Sequence, residues 1–210
     1  MFIAITLFDG ITALDAVGPY EVLSRVPGAS VQFVATVPGL KRDQLGSLGL
    51  QADLSLADVP RCDVVLVPGG PGTAVAASDP ELLDWLRQVD QTTTWTTSVC
   101  TGALLLGAAG LLQGRRATTH WLSTDKLADH GATWTDLRVV VDGKYMSAAG
   151  VSAGMDMALA LAAELADDVV AQAIQLSVEY DPQPPYSAGS PATAPPAIVE
   201  HLRRAVRKQT

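Results

Sequence analysis

The 210-residue sequence is short of sulfur, imidazole and aromatic rings: it has two cysteines, three histidines and only 5% Phe, Trp and Tyr. Two cysteines, Cys62 and Cys100, are too few for the disulfide framework that braces small secreted domains, so a reducing, cytoplasmic setting fits. His120, His130 and His201 are scattered, without the clustered Cys/His spacing of a zinc site, and neither metal nor other cofactor is expected. Positive charge is scarce as well. Against 22 Asp and Glu there are 14 Lys and Arg, and the formal charge of −8 repels nucleic-acid phosphates and anionic membranes. Long apolar runs are missing too. The run from Met1 to Phe8 has no basic residues ahead of it and closes at Asp9, too early for a signal peptide. The stretch from Gly102 to Leu112 is well short of the roughly 20 residues that span a bilayer. Nucleic acid and membrane are not expected partners.

What is present is core-forming material. Hydrophobic residues make up 48% of the chain and charged residues 17%, which suits a packed globule rather than a disordered segment. At roughly 150 residues per domain, the length predicts a single domain over 1–210. Phe2 to Leu7 reads as a buried strand, Ala16 to Arg25 as a helix with Pro19 in its first turn, and Val31 to Thr36 as a second strand. Asp63 to Val67 is a nearly continuous apolar strand, of the kind covered on both faces, and it runs into Pro68-Gly69-Gly70-Pro71-Gly72. Asp79-Pro80 opens a helix, Thr92 to Val99 reads as a strand, and Thr101 to Leu112 as a buried helix ending at Gly114. Further strands are expected at Arg116 to Thr119, Val139 to Val141 and Lys144 to Ala148, the last two joined by an Asp142-Gly143 turn. Helices are expected over Ser123 to His130, Ser152 to Ala166 and Val169 to Tyr180. A Pro-, Ser- and Gly-rich surface loop at 181–196 then leads to a last helix at 197–208. Alternation of strands and helices predicts a doubly wound α/β fold, a mostly parallel sheet with helices on both faces.

The sharpest chemical feature is Ser98-Val99-Cys100-Thr101-Gly102, a cysteine on a tight strand-to-helix turn with small neighbours. Such a turn projects a nucleophile beyond the carboxyl ends of the strands, and the helix N-terminus favours its thiolate at neutral pH. The alternative is that Cys100 is only a small buried hydrophobe. Gly69, Gly70 and Gly72 follow a strand on the same sheet edge, where ligand crevices form, and their amides suit a developing negative charge. No Gly-Lys-Ser/Thr follows them, so they are not a phosphate loop. A tight turn that needs glycine accounts for them equally well. Asp15, where the first helix begins, either caps that helix or reaches across the crevice to exchange a proton with Cys100. Glu21, one turn on, reads as solvated or ion-paired. Gly150-Val151-Ser152-Ala153-Gly154 matches a serine-hydrolase elbow, with Asp167 or Asp168 and His201 following in order. Ser152 equally suits the start of a helix, and His201 sits among Arg203, Arg204 and Arg207, which argues against a triad. His120 is the histidine available for a Cys-His pair, though its spacing does not support one. Ile11, Trp121 and Val151 are apolar candidates for a substrate pocket and equally for core.

Taken together, several segments resemble the ThiJ/PfpI superfamily and, within it, the isocyanide hydratases. They are Phe8-Asp9-Gly10 with Leu14-Asp15, Gly18-Pro19-Tyr20-Glu21, Val67 to Gly72, Ser98 to Ala103, Gly107 to Leu112, Ala117 to Trp121, Ile174 to Leu176 and Glu179 to Pro182. The resemblance implies a flavodoxin-like sandwich, a homodimer, a nucleophile at Cys100 and an acidic partner at Asp15. It also implies addition of water to an isocyanide to give an N-substituted formamide through a cysteine thioimidate. Thr101 would position Asp15 or substrate, Gly70 would add an amide donor, and His120 and Val151 would lie near the substrate. Thr101 stands where protease-like members carry histidine, which argues against protease chemistry. The rival functions are a cysteine-dependent amidase or glyoxalase-like enzyme, a redox sensor whose Cys100 is oxidised, and a regulator's ligand-binding domain. The last is disfavoured by the acidic charge and by the absence of room for a DNA-binding module before Thr210.

Overall fold

In the computed structural model, which describes residues 1–207, the chain runs β1 (Phe2–Thr6), α1 (Ala13–Leu23), β2 (Ser30–Ala35), β3 (Gly39–Arg42), β4 (Gly49–Ala52), β5 (Leu54–Ser55) and β6 (Val64–Val67). It continues through α2 (Thr73–Ala76), α3 (Pro80–Asp90), β7 (Trp95–Val99), α4 (Gly102–Ala108), β8 (Arg116–Ala117), α5 (Lys126–Asp129), β9 (Thr133–Trp134), β10 (Val139–Asp142) and β11 (Tyr145–Ala148). It closes with α6 (Ala153–Leu165), α7 (Asp168–Ser177) and α8 (Pro196–Arg207).

Seven strands form one sheet in the order β10-β11-β7-β6-β1-β2-β5, and every pair is parallel except β10 with β11. Strand alternation sends Ile3, Ile5 and Leu66 to one face, where they pack with Ala16 and Val22 of α1, Leu161 of α6 and Ile174 of α7. Ala4, Val65 and Val67 point the other way, into a cluster with Leu82, Trp85 and Leu86 of α3 and Leu105 and Leu106 of α4. Helices therefore cover both faces, which is the doubly wound α/β fold that the alternation predicts and the flavodoxin-like sandwich that the resemblance implies. The chain passes from β1 to β2 on one side and to β6 on the other, so the strand order reverses at β1. Open α/β sheets place ligands at the carboxyl ends beside such a reversal.

Several boundaries differ from expectation. Helix α1 starts at Ala13, three residues early, with Thr12 at its N-cap, so Pro19 lies in the second turn and Asp15 lies inside the first. Burial of Ala16, Gly18, Pro19, Val22 and Leu23 holds the helix together despite the hydrogen bond that Pro19 cannot make. Helix α4 ends at Ala108 rather than Leu112, because Gly110 and Gly114 turn the chain with φ of +80° and +72°. Strand β8 stops at Ala117, because Thr118 N–H turns to the Ser147 hydroxyl and the Thr119 hydroxyl turns to the Cys100 carbonyl. The helix expected over Ser123 to His130 is a 3₁₀ turn at Trp121–Ser123 followed by the one-turn α5. The β3–β4 hairpin was not anticipated. Asp79 caps α3 as expected, accepting Glu81 N–H at 3.0 Å with Pro80 at the first helical position.

The chain divides into two compact units, the first ending at Val178 and the second beginning at Glu179. The second has no regular element before α8, and a turn at Ser190–Thr193 precedes that helix. Lys208, the expected end of the last helix, lies outside the described residues.

Candidate active site

Cys100 follows the last residue of β7 directly and adopts φ +58°, a left-handed conformation that non-glycine residues rarely accept. Its surroundings enforce that turn. The Cys100 N–H is shared between the Ala148 and Ala149 carbonyls at 3.0 and 2.9 Å, and its carbonyl accepts the Thr119 hydroxyl at 2.8 Å. Behind it, Gly102 touches β6 so closely that a Cβ there would sit 2.0 Å from the Val67 carbonyl oxygen. The sequence Cys100-Thr101-Gly102 is thus a strained strand-to-helix elbow in geometry as well as in pattern. Val151, expected near the substrate, is likewise strained, at φ +29°. Such strain costs on the order of 1–3 kcal/mol per residue and persists where the surrounding structure over-determines it.

Asp15 is brought to this elbow by the early start of α1. Its carboxyl is 0% exposed, and Oδ2 accepts Gly69 N–H at 3.0 Å. Oδ1 is buried with no hydrogen-bond partner of ordinary geometry, and the Cys100 thiol is the polar group interacting with this carboxyl. Burial pushes the Asp15 carboxyl up to about 7, against the smaller pull of Gly69 N–H and the Cys100 thiol. Burial also pushes the Cys100 thiol up to about 12, with the Asp15 charge adding to it, while the N–H groups of Thr101 and Val151 favour the thiolate. This corrects the expectation of a helix-stabilised free thiolate. Desolvation beats the short α4, so Cys100 rests as a thiol with Asp15 as the base beside it.

The glycine loop has a different part from the one its amides suggested. Gly69 N–H goes to Asp15, Gly70 N–H goes to the Thr101 hydroxyl at 2.9 Å, and Gly72 N–H goes to the Gly10 carbonyl at 3.0 Å. All three donors serve protein acceptors. The Gly69 carbonyl also accepts Thr12 N–H at 2.8 Å, so the loops after β1 and β6 are stitched together. Only glycine permits that approach at position 70, where φ is +132° and a Cβ would lie 2.4 Å from the Thr12 nitrogen.

The other candidates are placed as follows. Thr101 is half-buried, with its hydroxyl among Gly70 and Thr73. His120 is half-buried against Gly150, its Nδ1 accepts Leu122 N–H, and burial lowers its pKa, which keeps the ring neutral near pH 7. Glu21, in the last turn of α1, pairs with Arg25 at 2.8 Å on the surface. Ile11 is fully buried core. The serine-hydrolase alternative is not assembled: Ser152 is exposed and bonded to Arg138, and Asp167 is the N-cap of α7, accepting Val170 N–H. Among the described residues no cluster of three or more His, Cys, Asp or Glu side chains is placed to hold a metal ion, and no helix is long and apolar enough to cross a membrane. A cavity of about 280 Å³ opens at the carboxyl ends of β1 and β2, lined by Phe8, Thr36, Val37, Lys41, Gly72 and Asp79 among others; neither Cys100 nor Asp15 lines it. Sequence reasoning passed over Thr73 and Thr119, both of which bond to the elbow or to its neighbour.

A strained cysteine elbow beside a buried acid, on the carboxyl edge of a doubly wound sheet, accords with the family comparison. The model of the DJ-1/PfpI family matches residues 1–164, and the chain belongs to that family. The isonitrile hydratase of Pseudomonas putida is 44% identical over 96% of this chain and 88% of its own length. A crystal structure of a ThiJ/PfpI family protein from Pseudomonas syringae matches with a TM-score of 0.96 and 39% identity, over 99% of this chain and 86% of that one. The HTH-type transcriptional regulator CdhR of Pseudomonas aeruginosa is 28% identical over 87% of this chain, which spans 53% of that protein.

Proposed function

We propose that the chain is an isocyanide hydratase that uses Cys100 as nucleophile and Asp15 as its proton carrier, with no cofactor. The observation that carries this reading is the buried Cys100–Asp15 pair, in a chain 44% identical to an isonitrile hydratase. With Asp15 ionised, the pair holds one proton, on the Cys100 sulfur. As sulfur bonds to the terminal carbon of R-NC, that proton moves by way of Asp15 to the same carbon, giving the thioimidate R-N=CH-S-Cys100. Water then adds to the carbon, nitrogen takes up one of its protons, and the tetrahedral R-NH-CH(OH)-S species collapses. Breakage of the C–S bond releases R-NH-CHO, and the hydroxyl proton returns to the pair. The amides of Thr101 and Val151 favour the sulfur anion whenever it forms. Because Gly69, Gly70 and Gly72 are committed elsewhere, their part in this reading is to hold Asp15, Thr101 and the β1–α1 loop in place. His120 and Val151 border the substrate, and whether His120 or Glu21 takes part is not needed by the chemistry.

This reading treats residues 1–210 as one functional domain and the protein as a cytoplasmic homodimer. Two free cysteines and the family likeness support it. Turnover of an aryl isocyanide, followed by ultraviolet absorbance with the formamide identified as product, tests the function beside a Cys100→Ser variant. Formamide from the unaltered protein alone supports the reading. No product from folded protein across alkyl and aryl isocyanides overturns it. Light scattering of the eluting protein tests the dimer.

A further inference from the structure

Thr73 opens α2 in a buried position, and its hydroxyl lies 2.9 Å from that of Thr101. The protons around this pair have one consistent arrangement. The Gly70 carbonyl receives Thr73 N–H at 3.0 Å and the Thr73 hydroxyl at 2.6 Å, which occupy its two lone pairs. With its proton spent there, the Thr73 oxygen is left to accept. The Thr101 hydroxyl therefore donates to Thr73 Oγ1, its alternative being a longer, 3.2 Å approach to the Gly70 carbonyl that Thr73 already fills. Gly70 N–H in turn donates to Thr101 Oγ1 at 2.9 Å. One lone pair remains on Thr101 Oγ1, and no proton.

We propose that Thr73 is a positioning residue: it takes the proton of Thr101, so that Thr101 meets the water of the hydration step as a hydrogen-bond acceptor only. This rests on the hydratase reading of the site. In that step the water oxygen bonds to the thioimidate carbon and the C=N π pair moves to nitrogen, which takes up one water proton through Asp15. The second water proton stays on oxygen, and the Thr101 lone pair holds it until the C–S bond breaks. A Thr101 hydroxyl free to rotate would instead donate to the water's lone pair and compete with the very electrons that must attack.

Neutron diffraction from deuterium-exchanged crystals of the unaltered protein reads the arrangement directly. A deuteron on Thr101 Oγ1 directed at Thr73 supports it, and one directed at the Gly70 carbonyl or into the site overturns it. Kinetics supply a second test. Thr73→Val lowers kcat about fivefold, the weight of one neutral hydrogen bond, with little change in KM, and Thr73→Ser restores it. An unchanged kcat in Thr73→Val, or an equal loss in Thr73→Ser, overturns the role of Thr73. If the unaltered protein hydrates no isocyanide, the hydratase reading falls, and the deuteron still decides whether Thr73 holds the Thr101 proton.

Discussion

Strand β7 has a carboxylate near each end, and the two are treated in opposite ways. Near its amino end Asp90 is 14% exposed, and each of its oxygens has a partner: Oδ1 accepts the Thr96 hydroxyl at 2.6 Å and faces Lys144 Nζ at 3.2 Å, and Oδ2 accepts the Tyr145 hydroxyl at 2.9 Å. The Tyr145 ring is covered in turn by the Arg115 guanidinium, 4.1 Å from its centroid. At the carboxyl end, Asp15 is wholly buried, has one backbone donor and keeps Oδ1 free of an ordinary partner. A satisfied carboxylate stabilises the structure around it. One denied its partners holds its proton into the neutral range, which makes it useful for moving protons.

The contrast can be broken from either end. The largest effect is at the elbow, where Cys100→Ser should lower formamide production at least about a thousandfold in a protein with unchanged circular dichroism. Asp15→Asn should cost about a hundredfold in turnover, because an amide cannot relay the proton. It should also make the protein more stable at pH 8 but not at pH 4. The native carboxyl titrates near 7 against 3.8 for the ordinary group, so between those values the unfolded chain loses a proton that the native state keeps. Native stability from this group is therefore full below 3.8 and declines as pH rises to 7, and removing the charge restores it. Thermal melts of both proteins at the two pH values read this out. In the unaltered enzyme kcat/KM should fall about tenfold per unit below pH 7, where the pair takes up a second proton, and an acid limb well away from 7 would break the assignment to Asp15. At the other end of β7 the effects move to stability. Asp90→Ala should cost about 2 kcal/mol in urea unfolding by removing the acceptor shared by the Tyr145 and Thr96 hydroxyls, and Tyr145→Phe about 1 kcal/mol, each with kcat unchanged. A loss of kcat in either variant would show that the two ends are coupled.

The cysteine turn was legible because everything it needs is contiguous: an apolar strand, a small residue, the cysteine, a glycine and a buried helix. The role of Asp15 was half legible. Its type and its place after β1 suggested either a cap or a partner. The choice turns on α1 beginning at Ala13, and Pro19 pointed to a later start. The direction of the glycine amides was not legible. Glycine spacing announces a tight turn, but which acceptor each N–H finds depends on side chains such as Asp15, which is 54 residues from Gly69. Thr73 went unseen because a hydroxyl after a glycine loop has no distinguishing pattern until Thr101 is folded against it. The thiolate was misjudged for a related reason: helix polarity can be read from a sequence, while desolvation depends on how α1, α6 and the β6 loop close over the sulfur. The β3–β4 hairpin escaped because its strands are four residues each and half polar.

The left-handed backbone at Cys100 sets stability against chemistry at a single codon. Glycine accepts φ +58° without the cost that a Cβ incurs there, so Cys100→Gly relieves strain at the position proposed as the nucleophile. On that proposal, a library of variants sorted for heat resistance alone will enrich proteins that outlast the parent and convert nothing. Only a sort that demands turnover as well will keep the cysteine in place.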